Sequence, residues 1–245
     1  MQVVAPQEVS RVQNVVVING SPRRADGATG MVLEPFVDGM REAGADVEII
    51  CVEDIQPMQC ACGQMYCWYK RPGVCCMQDG MQEVYPRLRR AQTLVLATPV
   101  YIPLPGRMQD FINRLCPLIV PQLTTRDGRT RARWRDEVQI ERIALVATGS
   151  WWEKANLETV LRIAVEIAES ASIPFAGAAL RPHAWLMRDS RGLTQAGQAV
   201  AAALHRAGAQ LATAGMIDEA TQEAISQPLI EREDLLQRYN LISKA

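Results

Sequence analysis

Short apolar runs alternate along the chain with longer segments in which apolar residues recur every three or four positions. Buried parallel strands show the first pattern and amphipathic helices the second. Met108, Phe111, Ile112 and Leu115 show the helical spacing within one segment. The apolar runs predict strands at residues 14–19, 46–52, 93–97, 141–147 and 173–180. The helical spacing predicts helices at residues 29–43, 80–91, 106–116, 154–170, 192–214 and 229–240.

Five strands alternating with helices predict an α/β fold, a doubly wound parallel sheet with helices on both faces. The sequence has no internal repeat and no long linker, so we expect residues 1–245 to form one domain. Three segments interrupt the alternation: a Cys-rich loop at about 58–80, an Arg-rich insertion at about 117–139 and a helical extension at about 216–245. Ligands of such sheets bind beyond the carboxyl ends of the strands, which directs attention to the loops there.

The loop after the first strand has the composition of an anion-binding loop. In VVVINGSPRRADGAT (15–29), the apolar run ends and Ser21, Arg23, Gly27 and Thr29 follow. Backbone N–H groups, two hydroxyls and a guanidinium thus reach a helix N-terminus, where an anion is stabilised. The segment contains neither GKS/GKT nor G-x-G-x-x-G. The alternative is an ordinary strand-to-helix turn, because turn chemistry also explains Gly, Ser and Pro.

Two further loops at strand ends combine rigidity with aromatic side chains. TPVYIPLPG (98–106) contains three prolines and Tyr101, and TGSWWEKAN (148–156) contains Trp151 and Trp152. Together with the anion-binding loop they suit a flat ring tethered to one phosphate, such as FMN. The alternative for the tryptophans is packing on neighbouring loops or on a partner subunit.

Three motifs in matching order resemble the flavodoxin-like NAD(P)H-dependent FMN reductases, over roughly residues 14–180. NGSPRRADGAT resembles their GSPR-x-x-G-x-T loop. Residues 67–81 followed by 98–114 resemble the branch that includes the iron–sulfur flavoproteins. The residues that match this branch are Cys75, Asp79, Met81, Pro99, Val100, Tyr101, Gly106, Phe111 and Arg114. The departures are Ala28 for a usual Asn, Gly80 for Asp, Gln109 for Lys and Asn113 for Asp.

The resemblance implies a flavodoxin-like sheet of strand order 2-1-3-4-5 and an FMN-dependent oxidoreductase that passes electrons from NAD(P)H to an acceptor. Ser21, Arg23 and Thr29 would hold the FMN phosphate, and the other two loops would line the isoalloxazine ring. No side chain is assigned as catalytic, because the flavin supplies the chemistry. The implied cofactor-binding residues are Ser21, Arg23, Gly27, Ala28, Thr29, Pro99, Val100, Tyr101, Ile102, Thr148, Gly149, Ser150 and Trp151.

Clustered cysteines add a second cofactor hypothesis. Cysteines 60, 62, 67, 75 and 76 fall within 17 residues, and closely spaced thiolates hold iron–sulfur clusters. The family order is C-x-x-C-x-x-C with a fourth cysteine, whereas this chain reads C-x-C-x4-C-x7-C-C, with Gln64 at the middle position. The hypothesis is a [4Fe–4S] cluster held by Cys60, Cys62, Cys67 and Cys75. Zinc, and a metal-free loop with a redox-active pair, are the alternatives. Cys51 and Cys116 are expected to be small buried apolar residues.

The Arg-rich insertion has two interpretations. Its five arginines, between Arg126 and Arg135, could form a hairpin over the flavin that binds the phosphates of NAD(P)H. The favoured interpretation is a solvated arm or a dimer contact, because runs of charge are usually solvated. Since no cap for the cofactor is evident in one subunit, we expect a homodimer or homotetramer in which a second subunit completes the pocket. His183 and His205 are expected to have structural or surface roles.

Composition excludes several classes of function. The chain has 245 residues and a net charge of −1, which gives no reason to expect nucleic acid or an anionic membrane as a partner. The start MQVVAPQEVSRVQ lacks the features of a signal peptide, so the cytoplasm is expected. Seven cysteines then favour metal or redox chemistry over structural disulfides. Two rival functions are an iron–sulfur electron carrier that does not use NAD(P)H and a thiol redox sensor.

Overall fold

The computed structural model describes residues 14–63 and 65–242. The strands are β1 (Asn14–Asn19), β2 (Asp46–Cys51), β3 (Thr93–Pro99), β4 (Ile119–Arg126), β5 (Arg129–Trp134), β6 (Arg142–Thr148), β7 (Phe175–Arg181), β8 (Arg188–Asp189) and β9 (Gly192–Leu193). The α-helices are α1 (Ala28–Glu42), α2 (Val52–Ile55), α3 (Tyr66–Tyr69), α4 (Met81–Arg90), α5 (Gly106–Asn113), α6 (Glu158–Ala171), α7 (Gln195–Ala214), α8 (Glu219–Ser226) and α9 (Arg232–Ile242). Short 3₁₀ turns lie at Arg24–Asp26, Cys116–Leu118, Lys154–Leu157 and Ala184–Met187.

The central sheet has five strands in the order β2-β1-β3-β6-β7, and every pair in it is parallel. These are the five predicted strands, because β6 and β7 correspond to the predicted runs at 141–147 and 173–180. The predicted order 2-1-3-4-5 is therefore confirmed. Strands β4 and β5 form a separate antiparallel hairpin within the Arg-rich insertion.

Burial on both faces explains the continuous apolar runs. In β1, Val16 and Ile18 belong to one core with residues of α4, α5 and α6. Val15 and Val17 belong to a second core on the opposite face, with residues of α1 and α7. Successive strand side chains point to opposite faces, so a strand covered on both sides must be apolar throughout. The prediction of helices on both faces is confirmed.

Two glycines let α1 and α7 pack closely on the second face. A Cβ atom at Gly39 would lie 1.9 Å from the carbonyl oxygen of His205, and one at Gly208 would lie 1.9 Å from that of Phe36. Any larger side chain would separate the helices. This contact fixes α1, whose N-terminus lies beside the anion-binding loop. Among the described residues no helix combines the length and apolarity that crossing a membrane requires.

Candidate functional site

The loops that follow β1, β3 and β6 meet at the carboxyl edge of the sheet and surround one cleft. Its volume of about 360 Å³ lies within the range of small-molecule sites. The cleft is lined by Ser21, Pro22, Arg23, Ala28, Thr29, Pro99, Val100, Tyr101, Thr148, Gly149, Ser150, Trp185 and Tyr239. Ten of these are predicted cofactor-binding residues, brought together from three loops distant in sequence.

Asn19 holds the loop after β1 in shape. Its buried side chain accepts a hydrogen bond from the N–H of Ser21 (2.9 Å) and donates one to the carbonyl oxygen of Arg24 (3.2 Å). Glycine is required at position 30, where a Cβ would lie 2.0 Å from the carbonyl oxygen of Ala25. Sequence reasoning treated Asn19 only as the end of the strand, although a polar residue there is a signal that it bonds into the following turn.

Several donors in this loop remain available to an anion. Ser21 Oγ accepts from the N–H of Arg23 at 3.3 Å, so the hydroxyl hydrogen itself is free to donate. Gly27 precedes α1 without a side-chain cap, which leaves N–H groups of the first helical turn exposed to a ligand. Arg24 is paired with Asp54 at 2.7 Å, whereas Arg23 has no acidic partner within residues 14–63 and 65–242. These donors fit a phosphate.

A buried hydroxyl pair joins the first and third loops. Thr29 Oγ1 and Thr148 Oγ1 lie 2.8 Å apart, and both residues are buried. The N–H of Val100 donates to the carbonyl oxygen of Thr148 at 2.8 Å, which ties the second loop to the third. The Thr29 hydroxyl therefore has a protein partner in addition to any ligand, and the three loops hold one another in place.

Three predicted residues do not line the cleft. Gly27 lies behind it, at the start of α1, where a Cβ would come within 3.1 Å of Ser21 Oγ. Ile102 is completely exposed and Trp151 is 64% exposed. The neighbouring Trp152 donates its indole N–H to the carbonyl oxygen of Ile230 at 2.9 Å, so it packs on the C-terminal segment.

Two aromatic residues of the lining were missed by sequence reasoning. Trp185 follows β7, and Tyr239 lies in α9. Their ring centroids are 6.2 Å apart with the rings perpendicular. The hydroxyl of Tyr239 donates to the carbonyl oxygen of Ser150 at 3.3 Å. Only their position in the fold, not a local motif, associates them with the cleft.

A buried basic pair supports the third loop from behind. Arg181 and His183 are both fully buried, and the guanidinium is 3.1 Å from His183 Nε2. Nε2 also accepts from the N–H of Leu229 at 3.0 Å. Burial, together with the charge of Arg181, lowers the pKa of His183 to about 4, so the ring is neutral and carries its hydrogen on Nδ1. Burial lowers the pKa of Arg181 to about 10.

The cysteine-rich loop forms a separate cavity, away from the cleft. The predicted ligands Cys60, Cys62, Cys67 and Cys75 line it, and Cys76 and Cys116 join them. The expectation that Cys51 and Cys116 are buried is wrong, because both are only partly buried, and Cys116 lies with the other cysteines. Burial and the neighbouring cysteines raise the pKa of Cys67 to about 12, and burial also raises the pKa values of Cys60 and Cys116. Within the described ranges, no group of three or more Cys, His, Asp or Glu residues is arranged to hold a metal ion.

An ion pair closes this loop against α5. Arg114 is buried and donates to both carboxylate oxygens of Asp79, at 2.6 and 3.0 Å, and to the carbonyl oxygen of Met58 at 2.9 Å. Burial alone would raise the pKa of Asp79, but the hydrogen bonds from Arg114 and the backbone outweigh it and lower that pKa. Two residues of the family motif thus hold both ends of the cysteine-rich loop.

Arginines of the β4–β5 hairpin are engaged by α6. Arg131 contacts Glu166 at 2.6 Å and Glu169 at 2.9 Å, and Arg129 contacts Glu166 at 3.1 Å. Arg162 joins the same carboxylates. Partial burial would raise the pKa of Glu166, but hydrogen bonds from the three guanidiniums lower it to about 2. None of the hairpin arginines lines the cleft.

Comparisons with known proteins agree with this architecture. A family model described as NADPH-dependent FMN reductase matches residues 13–181. No curated protein gives a significant match.

The fold is similar to that of an NAD(P)H:quinone oxidoreductase from Methanothermobacter marburgensis (TM-score 0.58, 14% identity, 82% of this chain and 97% of that chain). It is also similar to an FMN-dependent NADH-azoreductase from Bacillus anthracis str. Ames Ancestor, solved in complex with FMN (TM-score 0.56, 14% identity, 82% and 99%). A third similar structure is Smu.1420 from Streptococcus mutans UA159 (TM-score 0.57, 11% identity, 81% and 100%). At these identities the likeness shows a shared fold.

Proposed function

The chain belongs to the NADPH-dependent FMN reductase family, and from that premise we propose that the cleft at the sheet edge binds FMN. The anion-binding loop would hold the phosphate through Ser21, Arg23 and the free backbone N–H groups of the first turn of α1. The loops at 99–101 and 148–150 would line the isoalloxazine. The observation that carries this assignment is the position of Arg23, a guanidinium without an acidic partner in the described chain, beside the uncapped start of α1.

The cleft supports FMN in preference to FAD. It offers one cradle for one terminal phosphate, and the matched segment has no G-x-G-x-x-G unit for an adenylate. Bound FMN would supply the redox chemistry, the transfer of a hydride from NAD(P)H and of two electrons to an acceptor. The residues of the chain would bind the phosphate and line the ring. The hydrogen bond between Thr29 and Thr148 would hold the first and third loops together.

The cofactor assignment is tested by releasing the ligand of the purified protein with heat and separating it by chromatography. We expect FMN. Recovery of FAD would contradict the argument from the single cradle.

The electron donor is tested by anaerobic stopped-flow mixing of the oxidised protein with NADPH and with NADH. We expect at least one nucleotide to bleach the flavin. Dithionite is the control, and bleaching by dithionite alone would favour the electron-carrier function instead.

For the acceptor, we propose a small molecule or a protein that takes two electrons. NAD(P)H gives up one hydride, and the acceptor gains two electrons and two protons, one of them from solvent. A quinone and an azo compound are the first acceptors to test, because two proteins of similar fold are named for them. Turnover of neither would favour a protein acceptor.

The [4Fe–4S] cluster stays a prediction that the geometry of the described residues does not favour. The six cysteines share a cavity, but none of their groups has a metal-binding arrangement in the described ranges. We therefore assign no electron-transfer step to them. An absorption spectrum of anaerobically purified protein is the test, since flavin bands alone contradict the cluster and an added broad shoulder supports it. A homodimer or homotetramer is likewise proposed and is measured by sedimentation.

A further inference from the structure

The segment that follows the family match reaches the proposed cofactor site. The match ends at residue 181, yet Trp185 and Tyr239 line the same cleft as the predicted phosphate loop. Sequence reasoning expected a second subunit to complete this pocket. Part of the pocket wall comes instead from the same chain.

The buried residues Arg181 and His183 hold the C-terminal segment next to the cleft. Arg181 donates to the carbonyl oxygens of Ile225 and Gln227, at the C-terminal end of α8. A cation is favoured at that end of a helix, because the unsatisfied carbonyl groups carry partial negative charge. His183 then accepts from the N–H of Leu229. These bonds fix the start of the connection between α8 and α9.

Three further contacts fasten the connection and α9 to the third loop itself. The indole of Trp152 donates to the carbonyl oxygen of Ile230. Arg232 and Glu153 form an ion pair at 2.9 Å. The hydroxyl of Tyr239 donates to the carbonyl oxygen of Ser150. Each contact involves one of residues 150–153, which overlap the C-terminal end of the predicted isoalloxazine site.

The burial pattern of α9 indicates that its cleft-facing residues are few. Leu235 is only 3% exposed, and Tyr239 follows it by four residues, which places both on one face of the helix. Leu236 and Leu241 are 55% and 70% exposed. The helix is thus held through one narrow face and through the contacts at residues 150–153, which lie in the loop after β6 and not in a strand of the sheet.

We propose that Trp185 and Tyr239 contact the flavin, and that α9 is a strap that slows its release. This inference rests on the proposed binding of FMN in the cleft. Two perpendicular rings offer flat apolar surface to an isoalloxazine, and aromatic pairs gain attraction beyond the area they bury. Both rings lie outside the family-matched segment, which ends at residue 181.

The test is FMN binding to protein from which the cofactor has been removed, measured by quenching of flavin fluorescence. Tyr239→Ala and Trp185→Ala should each raise the dissociation constant by about tenfold and speed release. Leu241→Ala, at an exposed site of the same helix, is the matched control and should stay within about twofold of wild type. Circular dichroism and thermal melting check that each variant folds.

Two further variants distinguish the effect of the Tyr239 ring from that of the hydrogen bond and the helix that hold it. Tyr239→Phe keeps the ring and loses the bond to Ser150, so it should bind FMN nearly as wild type does. A chain ending at Ile230 keeps the bonds of Arg181 and His183 but lacks α9, and it should release FMN faster than Tyr239→Ala does. If Tyr239→Ala does not fold, Trp185→Ala carries the test.

The outcomes distinguish the strap from the proposed function. Wild-type protein that fails to bind FMN would overturn the proposed function. FMN binding that is unchanged by Tyr239→Ala, Trp185→Ala and the shortened chain would overturn the strap alone. An unchanged FMN dissociation constant with a raised KM for NADPH would assign the two rings to the nucleotide and overturn their contact with the flavin. Equal losses in Tyr239→Phe and Tyr239→Ala would show that the bond to Ser150, and not the ring, is responsible.

Discussion

The loop before α1 and the β4–β5 hairpin both present arginines, and both were candidates for binding a phosphate. In the loop, Arg24 is paired with Asp54, and Arg23 lines the cleft without an acidic partner among the described residues. In the hairpin, Arg129 and Arg131 are engaged by carboxylates of α6. The hairpin has more arginines, but Arg129 and Arg131 are already neutralised by carboxylates, whereas Arg23 is not within the described part of the chain.

The difference shows that the number of arginines in a segment does not identify an anion site. A guanidinium already held by two carboxylates must break those contacts before it binds a ligand. The carboxylates of Glu166 and Glu169 lie 35 to 40 residues beyond the hairpin arginines they bind, so local sequence does not reveal them. The position of a loop at the carboxyl edge of a parallel sheet is the more reliable guide.

The largest expected effect concerns the buried histidine behind the cleft. His183, behind the cleft, has a pKa of about 4 in the folded chain and an ordinary value near 6.5 when unfolded. Between these pH values the unfolded chain binds more protons than the folded chain. The contribution of His183 to the free energy of unfolding is therefore fully present above pH 6.5 and is lost as the pH falls towards 4. The loss of unfolding free energy should reach about 3 kcal/mol. Urea unfolding across this range measures it.

The chain contains one other histidine, which supplies the control. His205 lies on the surface beside Glu42, and His205→Gln should keep the decline between pH 6.5 and 4. His183→Gln should flatten the decline. A decline that survives in His183→Gln would place the acid-sensitive group elsewhere.

The second effect concerns the two kinds of arginine directly. Arg23→Gln should weaken FMN binding by about 10- to 100-fold, because a hydrogen bond to a charged group is worth about 1.5–3 kcal/mol. Arg129→Gln should leave the dissociation constant unchanged. Riboflavin, which lacks the phosphate, should bind equally to wild type and to Arg23→Gln. Equal losses of FMN affinity in Arg23→Gln and Arg129→Gln would contradict the distinction between the anion-binding loop and the hairpin.

The third effect compares two serines in the same way. Ser21→Ala removes a buried hydroxyl from the loop, and it should weaken FMN binding by roughly tenfold. Ser172, whose hydroxyl donates to the carbonyl oxygen of Ala132 in the hairpin, is the control and should have no effect as Ala. An unchanged dissociation constant for Ser21→Ala would place the phosphate elsewhere.

The sheet was predictable because its signal is local. Strands β1, β3 and β6 are buried on both faces, so each appears as an apolar run. The edge strand β2 is only partly buried, and the strand order followed from the resemblance. A hairpin was one of the two interpretations of the Arg-rich insertion, although it was placed over the flavin. Asp127-Gly128 takes positive φ at both positions, as a tight hairpin turn requires. Residues 219–226 form α8, and the sequence analysis assigned no separate helix to them.

The site was predictable where a single loop contributes several neighbouring residues. Ser21, Arg23 and Thr29 come from one motif, and the structure places them in one cleft. Tyr239 reaches the cleft because α9 folds back over the third loop. Trp185 reaches it because the turn after β7 lies against that loop, where the N–H of Ala184 donates to the carbonyl oxygen of Gly149. No local pattern encodes either contact. Cys116 joins the other cysteines because α5 ends beside their loop, a contact that is long-range in sequence.

The smallest expected effect tests whether the hairpin arginines are structural. Arg129 is half exposed and paired with Glu166, so Arg129→Gln should lower the free energy of unfolding by less than about 1 kcal/mol. The difference should shrink in high salt. It should also fade as pH falls from 4.5 towards 2, because Glu166 has its pKa lowered to about 2 and its ion pairs are lost on protonation.

Urea unfolding with and without salt measures the stability, and anaerobic flavin reduction measures any effect on NADPH. Full stability with a raised KM for NADPH would instead assign the hairpin to the nucleotide, and the contrast between the two regions would then fail.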